Sequence, residues 1–147
     1  MKTLFLSFLC IIMLTGCSDD DSAPAPFEPI TIEPVLIGKG FSTDEITSGN
    51  FVISTQTDWD AFLINMDDIV GAPLNTNVDF SLNEVIVVID VLRPDTGHSV
   101  NIDTVIENEN DITVNYSSMD IGDGFTDTNQ PYHIVKIPRS SKPVIFQ

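Results

Sequence analysis

The chain has 147 residues, with 22 acidic side chains against 6 basic ones and a formal net charge of −16. That imbalance repels a phosphate backbone, and no local Lys/Arg cluster offsets it, so nucleic-acid binding is excluded. A single-domain length with 42% apolar and 8% aromatic residues excludes a wholly disordered chain, and two cysteines, one of them inside the leader, exclude a disulfide framework.

Residues 1–16 read as a signal peptide. Lys2 supplies the positive start, and Leu4 to Leu14 form an apolar run interrupted only by Ser7, which is shorter than the ~20 residues that span a bilayer. The run ends in Leu14-Thr15-Gly16-Cys17, which resembles a bacterial lipobox. The resemblance implies a diacylglyceryl group on the Cys17 thiol, cleavage before Cys17, and acylation, palmitate-like, of the new amine. Lys2 is then lost and the mature chain becomes one charge more negative. Burial of acyl chains at ~0.8 kcal/mol per CH₂ holds such an N-terminus on a membrane.

Residues 17–29 form an acidic, Pro-rich tether. Ser18-Asp19-Asp20-Asp21 reads on composition as a solvated, self-repelling spacer. It also resembles the signal that exports lipoproteins of the Bacteroidota to the outer face of the outer membrane, which implies cell-surface display. Ser22-Ala23-Pro24-Ala25-Pro26 and Pro29 favour extended polyproline II. Asp21-Ser22-Ala23 resembles the Asp-Ser/Thr-apolar acceptor of O-glycosylation in the same phylum and marks Ser22; Asp103-Thr104-Val105 matches too, but inside a predicted strand.

Residues 30–147 form the folded domain. Ile30 to Ile37 predicts a first strand at a sheet edge, because Pro34 cannot donate to a ladder. Ser48-Gly49-Asn50 turns the chain into a strand at Phe51-Val52-Ile53. A helix over about residues 58–67 follows: Thr57 caps it with Asp60 three residues on, and Trp59, Phe62, Leu63 and Met66 form an apolar stripe. Gly71 and Pro73 stop it. The β-branched run Val85 to Ile89 predicts a central strand buried on both faces, one of which can take the helix.

After the turn Arg93-Pro94-Asp95-Thr96-Gly97, the stretch Ser99 to Ile106 places Val100, Ile102 and Ile106 on one face and Asn101 and Asp103 on the other. A polar loop at Glu107 to Asn110 leads into Ile112, Val114 and Tyr116 at period two. Tyr132 to Ile137 and Val144 to Phe146 supply the last strands. The expected fold class is α+β, a mostly antiparallel β-sheet with one short helix in a single domain.

Trp59 with its helix, Val78-Asp79-Phe80, the run Pro94-Asp95-Thr96-Gly97-His98-Ser99-Val100, Thr126, and Gln130-Pro131-Tyr132 with its apolar strand to Pro138 carry a further likeness. From Trp59 to Phe146 the chain resembles the PrcB C-terminal domain family, named after a lipoprotein subunit of a surface protease complex. Thr96 and His98 stand where that family usually has Gly and Tyr, unless a one-residue gap aligns Thr96-Gly97 instead. The family is defined by no catalytic set, so the resemblance implies an interaction module and no enzymatic residue.

The residues themselves carry little chemistry of reaction. Nucleophile-elbow, P-loop and zincin spacings are absent from the sequence, and the two histidines, His98 and His133, have no ligand spacing. The loop from Asp120 to Asp127 gathers Asp120, Asp123 and Asp127 around two glycines, which suits Ca²⁺ or mere solvation. Trp59 lies on the helix stripe, which points to a core role rather than a sugar platform.

The expectation is therefore a non-enzymatic outer-membrane lipoprotein without a cofactor. It binds or stabilises a protein partner, an exported protease or another extracytoplasmic protein, and the alternative is a glycan- or calcium-binding lipoprotein of a nutrient-uptake system. Loops on a rigid scaffold carry such contacts, which places the interface at Asp95, Thr96, His98, Phe125 and Tyr132. Phe125 reads equally as an interface anchor or as a loop residue folded onto the core.

Cys17→Ala is expected to release the protein from membranes or leave it unprocessed. Detergent partitioning and mass spectrometry of the N-terminus test this, and an unmodified, water-soluble wild-type N-terminus contradicts it.

Overall fold

The computed structural model describes residues 25–66, 69–71, 74–120 and 127–147, with residues 69–71 described in backbone only. The strands are β1 (Ile30–Ile32), β2 (Val35–Ser42), β3 (Gly49–Ile53), β4 (Ile69–Gly71), β5 (Asn83–Ile89), β6 (His98–Glu107), β7 (Ile112–Asp120), β8 (Gln130–Pro138) and β9 (Val144–Phe146). The helix α1 spans Gln56–Ile64. The strands divide over two sheets, ordered β1-β6-β7-β9 and β3-β5-β8-β2-β4. Every pair is antiparallel except β7 with β9. The α+β, mostly antiparallel class with one helix is what the structure has, built as a sandwich rather than a single sheet.

Strand β5 explains the layering. Val85, Ile86, Val87, Val88 and Ile89 are all buried, so both faces of the strand need cover. Ile86 and Val88 pack with Val135 and Ile137 of β8 against Val100, Ile102, Val105, Ile112 and Val114 of the smaller sheet. Val85, Val87 and Ile89 face the other way, onto Trp59, Met66 and Val78. The order of layers is therefore sheet, sheet, then helix and loops. Among the described residues no helix is long and apolar enough to cross a membrane.

Pro34 acts differently from the sequence expectation. It splits Ile30 to Ile37 into β1, at an edge of the smaller sheet, and β2, which lies inside the larger sheet between β8 and β4. The missing N–H ends one ladder, and the chain re-enters the other sheet one residue later. Strand β4, which pairs with Gly40 to Ser42, has no counterpart in the sequence reading, where Gly71 and Pro73 serve only to stop the helix.

The helix begins earlier than predicted. Two Thr-x-x-Asp boxes overlap in Thr55-Gln56-Thr57-Asp58-Trp59-Asp60, and the first one is used. Thr55 Oγ1 accepts from the Asp58 N–H at 3.2 Å and donates to Asp58 Oδ2 at 2.6 Å. This cap lets the chain turn directly out of β3 and brings Trp59 into the core, fully buried, with its indole N–H on the Thr76 carbonyl at 3.0 Å and its ring stacked on Phe62 at 5.5 Å. The helix ends at Ile64, and Met66 is buried from the turn beyond it.

A bulge corrects the register of β6. Between Ile102 and Thr104 the pairing with β7 shifts by a residue, which leaves Asp103 unpaired and turns Val105, not Ile106, into the core. Thr104 is exposed within β6, its Oγ1 accepting from Asn115 at 2.9 Å.

Thr55→Ala is expected to cost about 1 kcal/mol of stability, because the Asp58 N–H loses its cap. Thr57→Ala, at the box not used, is expected to stay within about 0.5 kcal/mol. Urea denaturation of both variants distinguishes the two boxes.

Candidate functional site

At one end of the sandwich the segments 43–48, 90–97 and 127–129 come together with the start of β6 and the end of β7. What fixes them is Gln130, a fully buried polar residue that works as an extra peptide group. Its Oε1 accepts from the Ile46 N–H at 2.7 Å, and its Nε2 donates to the carbonyls of Ile46 at 2.8 Å and Asp90 at 2.9 Å. One side chain therefore joins the segment before β3 to the end of β5. Thr128 adds a bond from its hydroxyl to the Thr43 carbonyl at 3.1 Å.

Asp90 is the second knot. Its carboxylate accepts two bonds from Arg93, at 3.1 and 3.0 Å, one from the Val91 N–H at 2.8 Å and one from the Ser118 hydroxyl at 2.9 Å. Burial alone raises such a carboxyl, but these donors and the Arg93 charge outweigh it and hold Asp90 below its ordinary range. Ser118 belongs to the smaller sheet, so this group ties the sheets together. Arg93 in turn pairs backbone to backbone with Asn129, at 2.7 and 3.1 Å.

Of the predicted contact residues, three lie together here. His98 Nε2 is 2.6 Å from Asp95 Oδ1, and His98 Nδ1 is 3.9 Å from Asp120 Oδ1. The positive φ of the turn falls on Gly97, at 94°, so Thr96 avoids that conformation. Phe125, Asp123, Thr126, Ser22 and Cys17 lie outside the described residues.

Tyr132 is a correction. It is fully buried against the helix-side core and presents nothing to a partner. In β8 its side chain shares a face with Ile134, which the apolar packing between sheet and helix requires, and its hydroxyl has no hydrogen-bond partner among the described residues.

Asp120 and Asp127 are the two described aspartates of the proposed calcium loop, whose middle member Asp123 lies outside the described residues. Asp120 faces one nitrogen of His98 while Asp95 holds the other, so the carboxylates approach from opposite sides of the ring. Asp127 is exposed, and among the described residues no three His, Cys, Asp or Glu side chains gather around one point.

His133 carries a structural role. Its Nδ1 accepts the Ile102 N–H at 2.8 Å, across the sheet interface and beside the β6 bulge. That acceptor must be unprotonated. Burial, and next the charge of Lys39, push its pKa down from 6.5 to about 4, with Asp103 opposing. Lys39 itself donates to Asn101, a third bond between the sheets after those of Asp90 and His133.

Sequence reasoning passed over Asp90, Gln130 and the bonding of His133. A signal existed for the first two: each is a polar residue placed directly against an apolar strand run, where exposure is unattainable. A shallow cleft of about 220 Å³ opens beside Asp90, between Asn50, Val88, Val100, Tyr116 and Ser118. Comparison with known protein families, curated proteins and solved structures finds no match for the chain.

His133 gives the domain an acid-sensitive component with a definite sign. Its folded pKa, about 4, lies below the unfolded value near 6.5, so its contribution is complete above pH 6.5 and is lost as the pH falls toward 4. Each unit corresponds to about 1.4 kcal/mol; with partial solvent screening the expected loss is about 2 kcal/mol. His133→Gln, which keeps an acceptor but does not titrate, is expected to remove that component. Melting temperatures of the two proteins between pH 7 and 4 check it by difference, which cancels the carboxylates common to both.

Proposed function

We propose that this chain is a lipid-anchored, surface-displayed interaction module that binds a protein partner through the loop end of its sandwich without chemistry of its own. The single observation that carries this reading is the position of the tether relative to those loops. Phe27 lies under the Lys142 ammonium at 4.7 Å, and Lys142 is bonded to Glu107 at 2.8 Å and to the Asn108 carbonyl at 2.7 Å. Ile30 then pairs with Glu107. The chain thus arrives from Cys17 at the hairpin end of β6, whereas segments 43–48, 90–97 and 127–129 cluster at the His98 end. A strand of that length separates the ends by roughly 30 Å. A membrane attachment at one end leaves the fixed loops at the other facing outward.

The fixation supports recognition over a passive surface. Loops that Gln130, Asp90 and Arg93 hold in place lose little conformational freedom on binding, which favours affinity. The bonds of His98, Asp90 and His133 described above are positioning contacts within the fold. The likeness to the PrcB C-terminal family supports a partner that is an exported protease or a protein assembled with one.

Glu45 and Asp127 are both exposed at the loop end, on segments joined by Thr128. Glu45→Lys and Asp127→Lys are expected to leave the melting temperature within a few degrees, as surface changes do. Crosslinking capture from native outer membranes is expected to fall several-fold in both variants. Unchanged capture by the double variant, or hydrolysis of the captured protein by the purified chain, overturns the reading.

A further inference from the structure

We infer that the outer edge of β3 is a strand-addition site for an extended, lysine- or arginine-flanked segment of the partner, an inference that rests on the interaction reading above. Strand β3 ends its sheet, pairing only with β5 among the described residues. The other sheet edges are defended. Strands β1, β4 and β9 have three residues each, with Glu33-Pro34 after β1 and Pro143 before β9. Strand β3 has five residues, Gly49-Asn50-Phe51-Val52-Ile53, with no proline, charge or register shift against β5. It lacks the devices by which natural edges avoid pairing.

A cavity lies on each face of this edge. Asn50 and Val52 oppose Val88 and Ile86 in register, so they point toward the smaller sheet, while Phe51 and Ile53 point toward the helix. On the first side lies the cleft of about 220 Å³ at Asn50, Val88, Tyr116 and Ser118, and Val52, on the same face of the strand, is 39% exposed. On the second lies an apolar pocket of about 190 Å³ formed by Ile46, Phe51, Phe62, Met66 and Ile89. A strand added to β3 sends alternate side chains to opposite faces, one set toward each cavity. Main-chain bonds then supply affinity and the cavities supply selectivity.

Charge decides between occupants. Asp44 and Glu45 precede β3, and Asp58 and Asp60 follow it, all exposed. Two copies joined antiparallel at this edge bring Asp44 and Glu45 of each beside Asp58 and Asp60 of the other, in a chain already at −16. The nearby cations are committed, Arg93 to Asp90 and Arg139 to the carbonyls of Ser54 and Phe80. A second copy is repelled, and a segment with basic flanks is attracted.

The probe is a synthetic peptide with an alternating Leu/Val core between lysine pairs, with a glutamate-flanked counterpart, titrated into the full chain in detergent. The lysine-flanked peptide is expected to bind and to slow amide exchange in β3. Val52→Lys is expected to weaken it by about tenfold or more, and Ile145→Lys, on the β9 edge, to leave it unchanged. Absence of binding, equal binding of the glutamate-flanked peptide, or protection confined to another edge overturns the inference. Membrane capture separates this from the broader reading: capture that survives Val52→Lys removes the edge site alone, whereas capture absent from the wild type removes the interaction reading itself.

Discussion

Burial of β5 and β8 on both faces is the constraint from which the rest of the architecture follows. A strand with apolar side chains on both sides has to be covered twice, and the chain does so with unlike layers. The smaller sheet meets Ile86, Val88, Val135 and Ile137, while the helix and its loops meet Val85, Val87, Ile89, Tyr132 and Ile134. Two separate cores then share one pair of strands. Damage to β5 or β8 reaches both cores at once, whereas damage to Trp59 or to Val114 reaches only one directly. The same double cover leaves β3 half protected. Its helix-facing side chain Ile53 is buried, but the smaller sheet stops short of Val52.

Polar bonds between layers turn this stack into one body. Asp90 with Ser118, His133 with the Ile102 N–H, and Lys39 with Asn101 each cross from the larger sheet to the smaller one. None adds much apolar area. Their effect is on register: apolar faces slide at little cost, whereas the part-buried Ile102 N–H, if it lost His133, would cost about 1–3 kcal/mol. The bulge at Asp103 belongs to the same arrangement, since it stands next to the Ile102 amide that meets His133.

The legible part of the fold was whatever depends on neighbours in sequence. Val85 to Ile89 announced a doubly buried strand, Trp59 and Phe62 announced a packed helix, and the 107–112 hairpin was plain from its alternation. What escaped depends on distant partners. Thr55 and Thr57 offer equal capping boxes, and only the exit of β3 and the place awaiting Trp59 choose between them. Pro34 signals a break, but not that the two halves join different sheets. The bulge that exchanges Ile106 for Val105 is invisible to a period-two count. Tyr132 adjoins the 120–130 loop in sequence, which suggests an interface position, but the face it shares with Ile134 puts it in the core. For the site, the clustering of Asp95 with His98 follows from their spacing. The place of Gln130 against an apolar strand marks it as buried, but nothing local names its partner Ile46, 84 residues away.

Two features of the structure run against economical folding, and they meet at one flank. Among the described residues the loop end collects Asp44, Glu45, Asp90, Asp95, Asp120 and Asp127 around Arg93 and His98, a concentration of like charge that self-repulsion disfavours. The strand that leaves this end, β3, is the undefended edge. Had stability alone shaped the domain, lysines among the loops and a charge within Gly49 to Ile53 would relieve both. Departures from local consistency of this kind concentrate at functional positions. Their adjacency is physical as well as sequential: Gln130 anchors Ile46, Ile46 lines the pocket beside Phe51, and Gly49, with φ at 139°, redirects the chain from that anchored segment into β3. Acid loops and open edge therefore form one continuous surface. Under the interaction reading proposed above, a partner drawn by charge to the loops would arrive beside a backbone ready to pair, with long-range attraction and short-range selectivity acting in sequence on the same segment.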